Sequence, residues 1–144
     1  MADYKQPANI RMRKSSDVAE KQCMKFLDIN NVSYHKLGFD CWDVPPQKFI
    51  MIPKKIRSLP DFICMGKSPF FCESKAFKGY LKLKHDDLDS YDYWHKHMKL
   101  FFYIYDVENK IEHFIAYKDI FEKILTAETD VYPDNNKKYY KIEL

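Results

Sequence analysis

Two strand-like runs, Leu59-Pro60-Asp61-Phe62-Ile63-Cys64 and Phe70-Phe71-Cys72-Glu73-Ser74-Lys75, flank the turn Met65-Gly66-Lys67-Ser68-Pro69, and together they constrain this chain most. Folded symmetrically about Lys67, they form an antiparallel β-hairpin with Asp61 opposite Glu73, Cβ atoms about 5 Å apart on one face. Period-two alternation adds Lys75 to that face and turns Phe70, Cys72 and Ser74 to the other. Slipping the register by one residue would move every side chain to the opposite face, so one register alone gathers the three charged groups. Two carboxylates this close repel each other and destabilise a sheet. A divalent cation between them removes that cost, and the pattern reads as a seat for a hard cation beside a fixed lysine. Taken singly, each group has an ordinary explanation: Asp after Pro stabilises turns, and charges alternate along solvent-facing strands. Their convergence sets them apart.

With 144 residues the chain is long enough for one domain with a substantial core and too short for two. Only three glycines and an aromatic content of 17% argue against disorder over most of the length. The formal charge of +3 hides an uneven distribution. Residues 1–85 carry 16 Lys/Arg against 8 Asp/Glu, whereas residues 86–144 carry 8 against 13. The basic half holds the hairpin, which suits a polyanionic ligand, although any one lysine is ordinarily just solvated surface. No apolar run approaches the roughly 20 residues that span a bilayer, and Met1–Lys14 lacks the apolar core of a signal peptide. The expectation is a soluble, cytoplasmic protein with no membrane partner. Cys23, Cys41, Cys64 and Cys72 form no C-x-x-C pair, which speaks against structural zinc. Cys64 and Cys72 are expected as reduced thiols facing each other on the buried side of the hairpin. Abundant Lys, Asn, Ile, Phe and Tyr fit an AT-rich genome such as that of a phage or other virus.

Met1–Ser15 reads as a mobile basic arm ahead of a single domain over residues 16–144. A first helix is expected from Ser16 or Asp17 to about Asn30, with Val18, Cys23, Phe26 and Leu27 as its apolar stripe. A strand follows at Val32–Leu37, ended by Gly38. Phe39–Lys48 reads as a loop broken by Pro45-Pro46, and Phe49–Ile52 as a short strand before the basic stretch Lys54-Lys55-Ile56-Arg57. Beyond the hairpin, Asp86 or Asp87 is an N-cap for a second helix, with Asp89 in its first turn. Leu88, Tyr91, Trp94 or His95, and Met98 form its buried side. Leu100–Tyr105 is the most apolar strand and so central. Ile111–Tyr117 is a strand, Lys118–Leu125 a short helix, and Lys138–Glu143 an edge strand. This order fits an α/β fold with a mixed central sheet flanked by helices.

Pro60-Asp61 followed by Glu73-x-Lys75 resembles the motif of the PD-(D/E)xK nuclease superfamily, which includes many restriction enzymes, Holliday-junction resolvases and phage endonucleases. The resemblance runs from about Asp17 to about Leu125, with its specific part confined to the hairpin. It implies a restriction-endonuclease-like core and hydrolysis of phosphodiester bonds in DNA, RNA not excluded, with Mg²⁺ as cofactor and Mn²⁺ as substitute. Asp61 and Glu73 would hold the metal, and Lys75 would complete the catalytic set. An acidic residue on the first helix often reaches the metal in that family, which brings in Glu20; Ser74 would offer only its backbone carbonyl. Glu20 has a second reading, as the third helical residue closing a capping box with Asp17. Small size and no separate recognition domain fit a structure-selective phage-type nuclease better than a restriction enzyme with long sequence readout. The alternative is a non-catalytic nucleic-acid-binding or inhibitory protein that keeps the nuclease fold, and a homodimer is left open.

Backbone contacts would come from Arg11, Arg13, Lys54, Lys55, Arg57 and Lys78. Lys78, Lys82 and Lys84 alternate with Phe77 and Tyr80, a pattern that binds phosphates and stacks on a base. A strand with buried aromatics and solvated lysines gives the same pattern and is the simpler explanation. His95 and His97, two apart on a helix, point in different directions and do not form a metal pair. His85 reads as an exposed loop residue.

Overall fold

A computed structural model describes residues 8–37 and 46–144. Helix α1 (Ala8–Ile29) leads into strand β1 (Ser33–Lys36), followed by short helices α2 (Pro46–Met51) and α3 (Lys54–Arg57). Strands β2 (Phe62–Met65), β3 (Pro69–Phe77) and β4 (Leu81–Lys84) come next, then α4 (His85–His97), β5 (Leu100–Asp106), β6 (Ile111–Ala116) and α5 (Tyr117–Ile124). Strands β7 (Glu128–Val131) and β8 (Lys138–Ile142) close the chain. The main sheet is mixed, in the order β1-β2-β3-β5-β6, antiparallel except where β3 runs parallel to β5. That parallel pair is joined through β4 and α4, the kind of crossover a parallel connection requires. Strands β4, β8 and β7 make a second, antiparallel sheet. The α/β class and the mixed sheet flanked by helices are as expected.

Alternation along the central strands splits the core in two. Phe62, Cys64, Cys72 and Tyr103 face α1 and bury its Cys23 and Leu27. Phe71, Leu100, Phe102 and Ile104 face the other way, toward α4, α5 and the second sheet, where they meet Tyr91, Tyr117, Ile120, Leu81, Leu83 and Ile142. The main sheet is thus a middle layer with an apolar face on each side, which is why β5 reads as an almost unbroken apolar run.

Helix α1 ends by a Schellman motif. Asn31 adopts a φ of 56°, Val32 N–H donates to the Leu27 carbonyl at 2.9 Å, and Asn31 N–H donates to that of Asp28 at 3.1 Å. Val32 also packs in the Leu27 cluster, completing the cap and setting the angle at which β1 leaves.

Several expectations need correction. Helix α1 begins at Ala8, so residues 8–15, expected in an arm, form its first turns; Met1–Pro7 lie outside the described residues. Asp17 is therefore mid-helix, not an N-cap. Ala19, not Val18, completes the buried stripe, since Val18 is 39% exposed. Phe49–Ile52 is not a strand but falls in and just past α2, which Pro46 opens at a position where its missing N–H costs nothing. Gly38, Cys41, Pro45 and most of the expected 39–48 loop lie outside the described residues. Helix α4 starts at His85 with Lys84 as N-cap, ahead of the expected aspartates. Strand β8 is not an edge strand: it is central to the second sheet, whose β7 the sequence reading missed. Among the described residues no helix is long and apolar enough to cross a membrane.

Candidate active site

The hairpin has the register expected of it. Phe62 pairs with Cys72, Ile63 with Phe71, Cys64 with Phe70 and Met65 with Pro69, a set symmetric about Lys67. Continued one step, that register sets Asp61, immediately before β2, against Glu73. The backbone of Asp61 is anchored from the other side, its carbonyl accepting the Leu37 N–H at 2.7 Å. Its carboxylate reaches across to β3, where one oxygen, Oδ2, accepts from both the N–H and the hydroxyl of Ser74, each at 2.8 Å. Ser74 lies on the α1 side of β3 and Glu73 on the α4 side, so Asp61 stands where the two faces meet.

Glu73 is pressed toward its neutral form. Burial pushes its pKa well above the ordinary carboxyl value, and the Asp61 carboxylate adds to this by its charge and by a direct hydrogen bond. Lys75 opposes the shift, and Asp87 of α4 reinforces it. Two carboxyl groups this close in a partly buried setting cannot easily both ionise, which is why the Asp61 charge pushes the Glu73 pKa up.

Burial alone would lower the Lys75 pKa, but Tyr91, Glu73, Asp87 and Asp61 together outweigh it, and the ammonium is held well above its ordinary value. Its Nζ lies 5.9 Å from the centroid of the Tyr91 ring. Tyr91 is only 4% exposed and is braced edge-on by Phe102 at 5.0 Å and Tyr117 at 6.0 Å, so Lys75 rests on a fixed platform. Asp87 and Tyr91, one helical turn apart on α4, read from the sequence as a cap candidate and a buried helix residue, the latter correctly, but not as neighbours of Lys75. Their four-residue spacing was the available signal, but nothing in it says which strand α4 faces. The Ser74 hydroxyl was missed too, because strand parity sends it away from Glu73.

Glu20 lies mid-helix in α1 and closes no capping box. Its carboxylate pairs with Lys36 of β1 at 2.7 Å. Burial raises its pKa, the Lys36 hydrogen bond opposes this, and the Asp61 charge adds to it. Glu20 thus stands within electrostatic reach of Asp61. Among the described residues, however, no three His, Cys, Asp or Glu side chains are grouped as an ion would need, so Glu20 does not close a cage with Asp61 and Glu73 as placed.

The basic residues spread further. Lys54, Lys55 and Arg57 lie on α3, which leans on α4: Lys55 Nζ is 4.6 Å from the Tyr93 ring centroid, and the Trp94 indole N–H donates to the Lys55 carbonyl at 3.3 Å. Lys78 is exposed in the turn after β3, where Gly79 takes a φ of 83°. Arg11 and Arg13 fall on α1, but their side chains lie outside the described residues. His85 is not an exposed loop residue; it opens α4, half-buried, stacked on Tyr140 with ring centroids 4.0 Å apart. His95 packs on Tyr117 and His97 on Tyr93, so the two diverge as expected. Cys64 and Cys72 are buried free thiols sharing one side of the hairpin, and Cys23 joins them with its Sγ 3.7 Å from that of Cys72. The hydrogen bond with Cys72, and then burial, push the Cys64 thiol far up, and Cys72 is raised by its hydrogen bond with Cys23 and by burial, against the lowering contact with Cys64, as suits inert core residues.

No protein-family model matches the chain, and no curated protein matches it, so the functional reading rests on this geometry.

Proposed function

We propose that the chain is a metal-dependent nuclease of the PD-(D/E)xK type that hydrolyses phosphodiester bonds in DNA, with Asp61, Glu73 and Lys75 as its catalytic centre. The observation that carries this reading is the hairpin register, which brings two carboxylates together beside an ammonium braced from below. The surrounding order adds support. A helix precedes the antiparallel β1-β2-β3, while α4 follows and leads to β5 parallel to β3, the context the resemblance implies.

The donor set suits Mg²⁺, which takes one or two carboxylates and fills its remaining positions with water and phosphate oxygen. Asp61 and Glu73 would hold it, and the raised pKa of Glu73 marks an electrostatic cost that a cation offsets. A bound divalent ion lowers the pKa of water and offsets charge on phosphoryl oxygens. Ser74 fixes the Asp61 carboxylate through two hydrogen bonds, leaving its other oxygen free of that pair. Lys75 keeps its proton across the neutral range and is therefore not a general base. Hydrolysis adds water across a P–O ester bond, and the ammonium meets the negative charge growing on the phosphoryl oxygens.

A second reading is a nucleic-acid-binding or inhibitory protein on the same fold without turnover; what favours it is that, among the described residues, no three His, Cys, Asp or Glu side chains are grouped to hold an ion. Incubation with Mg²⁺ or Mn²⁺ and a panel of single-stranded, duplex and branched DNA, with RNA included, separates the two. Metal-dependent strand cleavage supports the first, and binding without turnover supports the second.

A further inference from the structure

The outer face of the second sheet carries chemistry that the hairpin site does not use. Its inner face buries Leu81, Leu83 and Ile142. On the outer face Lys82 pairs with Lys141 and Lys84 with Tyr139, so three ammonium groups share one surface with a tyrosine cluster. Lys82 Nζ stands 5.8, 5.5 and 5.1 Å from the ring centroids of Tyr80, Tyr132 and Tyr139. Lys84 Nζ is 5.7 Å from Tyr132, and Lys141 Nζ is 5.2 Å from Tyr80. Tyr139 lies buried beneath, whereas Tyr80 and Tyr132 stay partly exposed. Lys141 is paired with Asp130 at 3.2 Å. Lys82 and Lys84 make no ion pair among the described residues, although Asp130 is near enough for Lys82 to be felt there. The chain itself joins this face to the hairpin, since β3, which carries Glu73 and Lys75, runs through the turn at Lys78–Tyr80 directly into β4; Tyr132 is also near enough to feel the Lys75 ammonium and the Asp87 carboxylate.

We propose that this face is a track for a single-stranded segment of nucleic acid leading to the Asp61–Glu73–Lys75 site, so that substrates with a single-stranded arm are the preferred class; its connection to cleavage rests on the nuclease reading above. Ammonium groups without a carboxylate partner meet phosphates, and partly exposed tyrosine rings stack on bases. Lys82 and Lys84, two residues apart on one strand face, are about 6.6 Å apart along the strand and so track an extended backbone. A duplex keeps its bases stacked inside and would meet the lysines alone, and an acidic peptide would do the same.

The test is fluorescence anisotropy of the full chain in EDTA, where metal-dependent cleavage is silent. The probes are labelled oligo-dT, a blunt duplex of equal length and poly-glutamate as competitor. The variants are K82Q/K84Q, Tyr132→Leu and Tyr132→Phe. Oligo-dT is expected to bind more tightly than the duplex. The lysine pair variant should flatten the slope of log affinity against log salt by about 1.4, since each single-strand phosphate that a lysine neutralises adds about 0.7 to that slope. Tyr132→Leu should weaken binding by about tenfold, while Tyr132→Phe keeps the stacking ring and the affinity. Equal affinity for the duplex, displacement by poly-glutamate as effective as by oligo-dT, or an unchanged salt slope in K82Q/K84Q would overturn the track. The same variants with Mn²⁺ keep the two readings apart. Variant-sensitive oligo-dT binding by a chain that cleaves nothing upholds the track and removes the nuclease reading. Metal-dependent cleavage with variant-insensitive binding does the reverse.

Discussion

Ser74 decides how Asp61 is held, and its side chain can be tested directly. Ser74→Ala removes one of the two hydrogen bonds to Asp61 Oδ2 and should cost about 1–2 kcal/mol in a denaturant titration, with a larger proportional loss of cleavage than of stability. Lys75→Ala should slow cleavage about 100- to 1000-fold while leaving nucleic-acid binding intact, because its charge acts on the transition state. Lys75→Arg should not rescue, since a planar fork does not replace a compact ammonium beside a metal. Glu73 gives a pH signature. Its folded-state pKa is raised from 4.5, so the stability it contributes is fully present below that value and is lost as pH rises through the folded-state pKa. Metal-free protein should therefore lose stability from this source toward neutral pH, and Glu73→Gln should flatten that part of the curve and raise the melting temperature at neutral pH. A Glu73→Gln curve parallel to that of the native chain would contradict the shift. For Glu20, paired with Lys36 but with its pKa raised by burial, the two effects oppose each other, and Glu20→Gln should change stability by about 1 kcal/mol or less. A rate loss well beyond that would show that it also serves the site.

The β2–β3 hairpin depends on a turn of fixed length. One residue inserted after Lys67 would shift the pairing and send Asp61 to the wrong face relative to Glu73; the expected result is loss of cleavage with a destabilised fold, read by activity and melting together. This register was readable in the sequence because alternation and a symmetric turn leave one solution that gathers the charges. The strands β5 and β6 were readable for a similar reason, as compact runs of apolar and aromatic residues. Other elements were not. Ala8–Ser15 is too polar to show helical periodicity, so nothing marked the early start of α1. Strand β7, Glu-Thr-Asp-Val, is exposed throughout, and exists because β8 offers it a pairing edge. That partner is a tertiary fact, and so is the approach of α4 to β3 that brings Asp87 and Tyr91 to Lys75.

Across the whole molecule, the main sheet separates two chemically distinct sides: thiols and α1 on one, the ionisable cluster and the second sheet on the other. Asp61 stands at their junction, which ties the site to both halves of the core. Charge follows a similar division, with the basic half of the sequence supplying α3, the hairpin and β4. If these surfaces hold a phosphate backbone, affinity for DNA should fall steeply as salt rises from about 50 to about 200 mM, as a binding titration would show. The most direct measurement is the rate of DNA cleavage in Mn²⁺ and Mg²⁺ by the native chain beside Glu73→Gln, with melting curves of both. The native chain should cut only when metal is present, and Glu73→Gln should fall to background with its fold intact. A native chain without metal-dependent cleavage of any nucleic acid, or a folded Glu73→Gln that cuts at the native rate, would contradict the assignment of the hairpin as the catalytic centre.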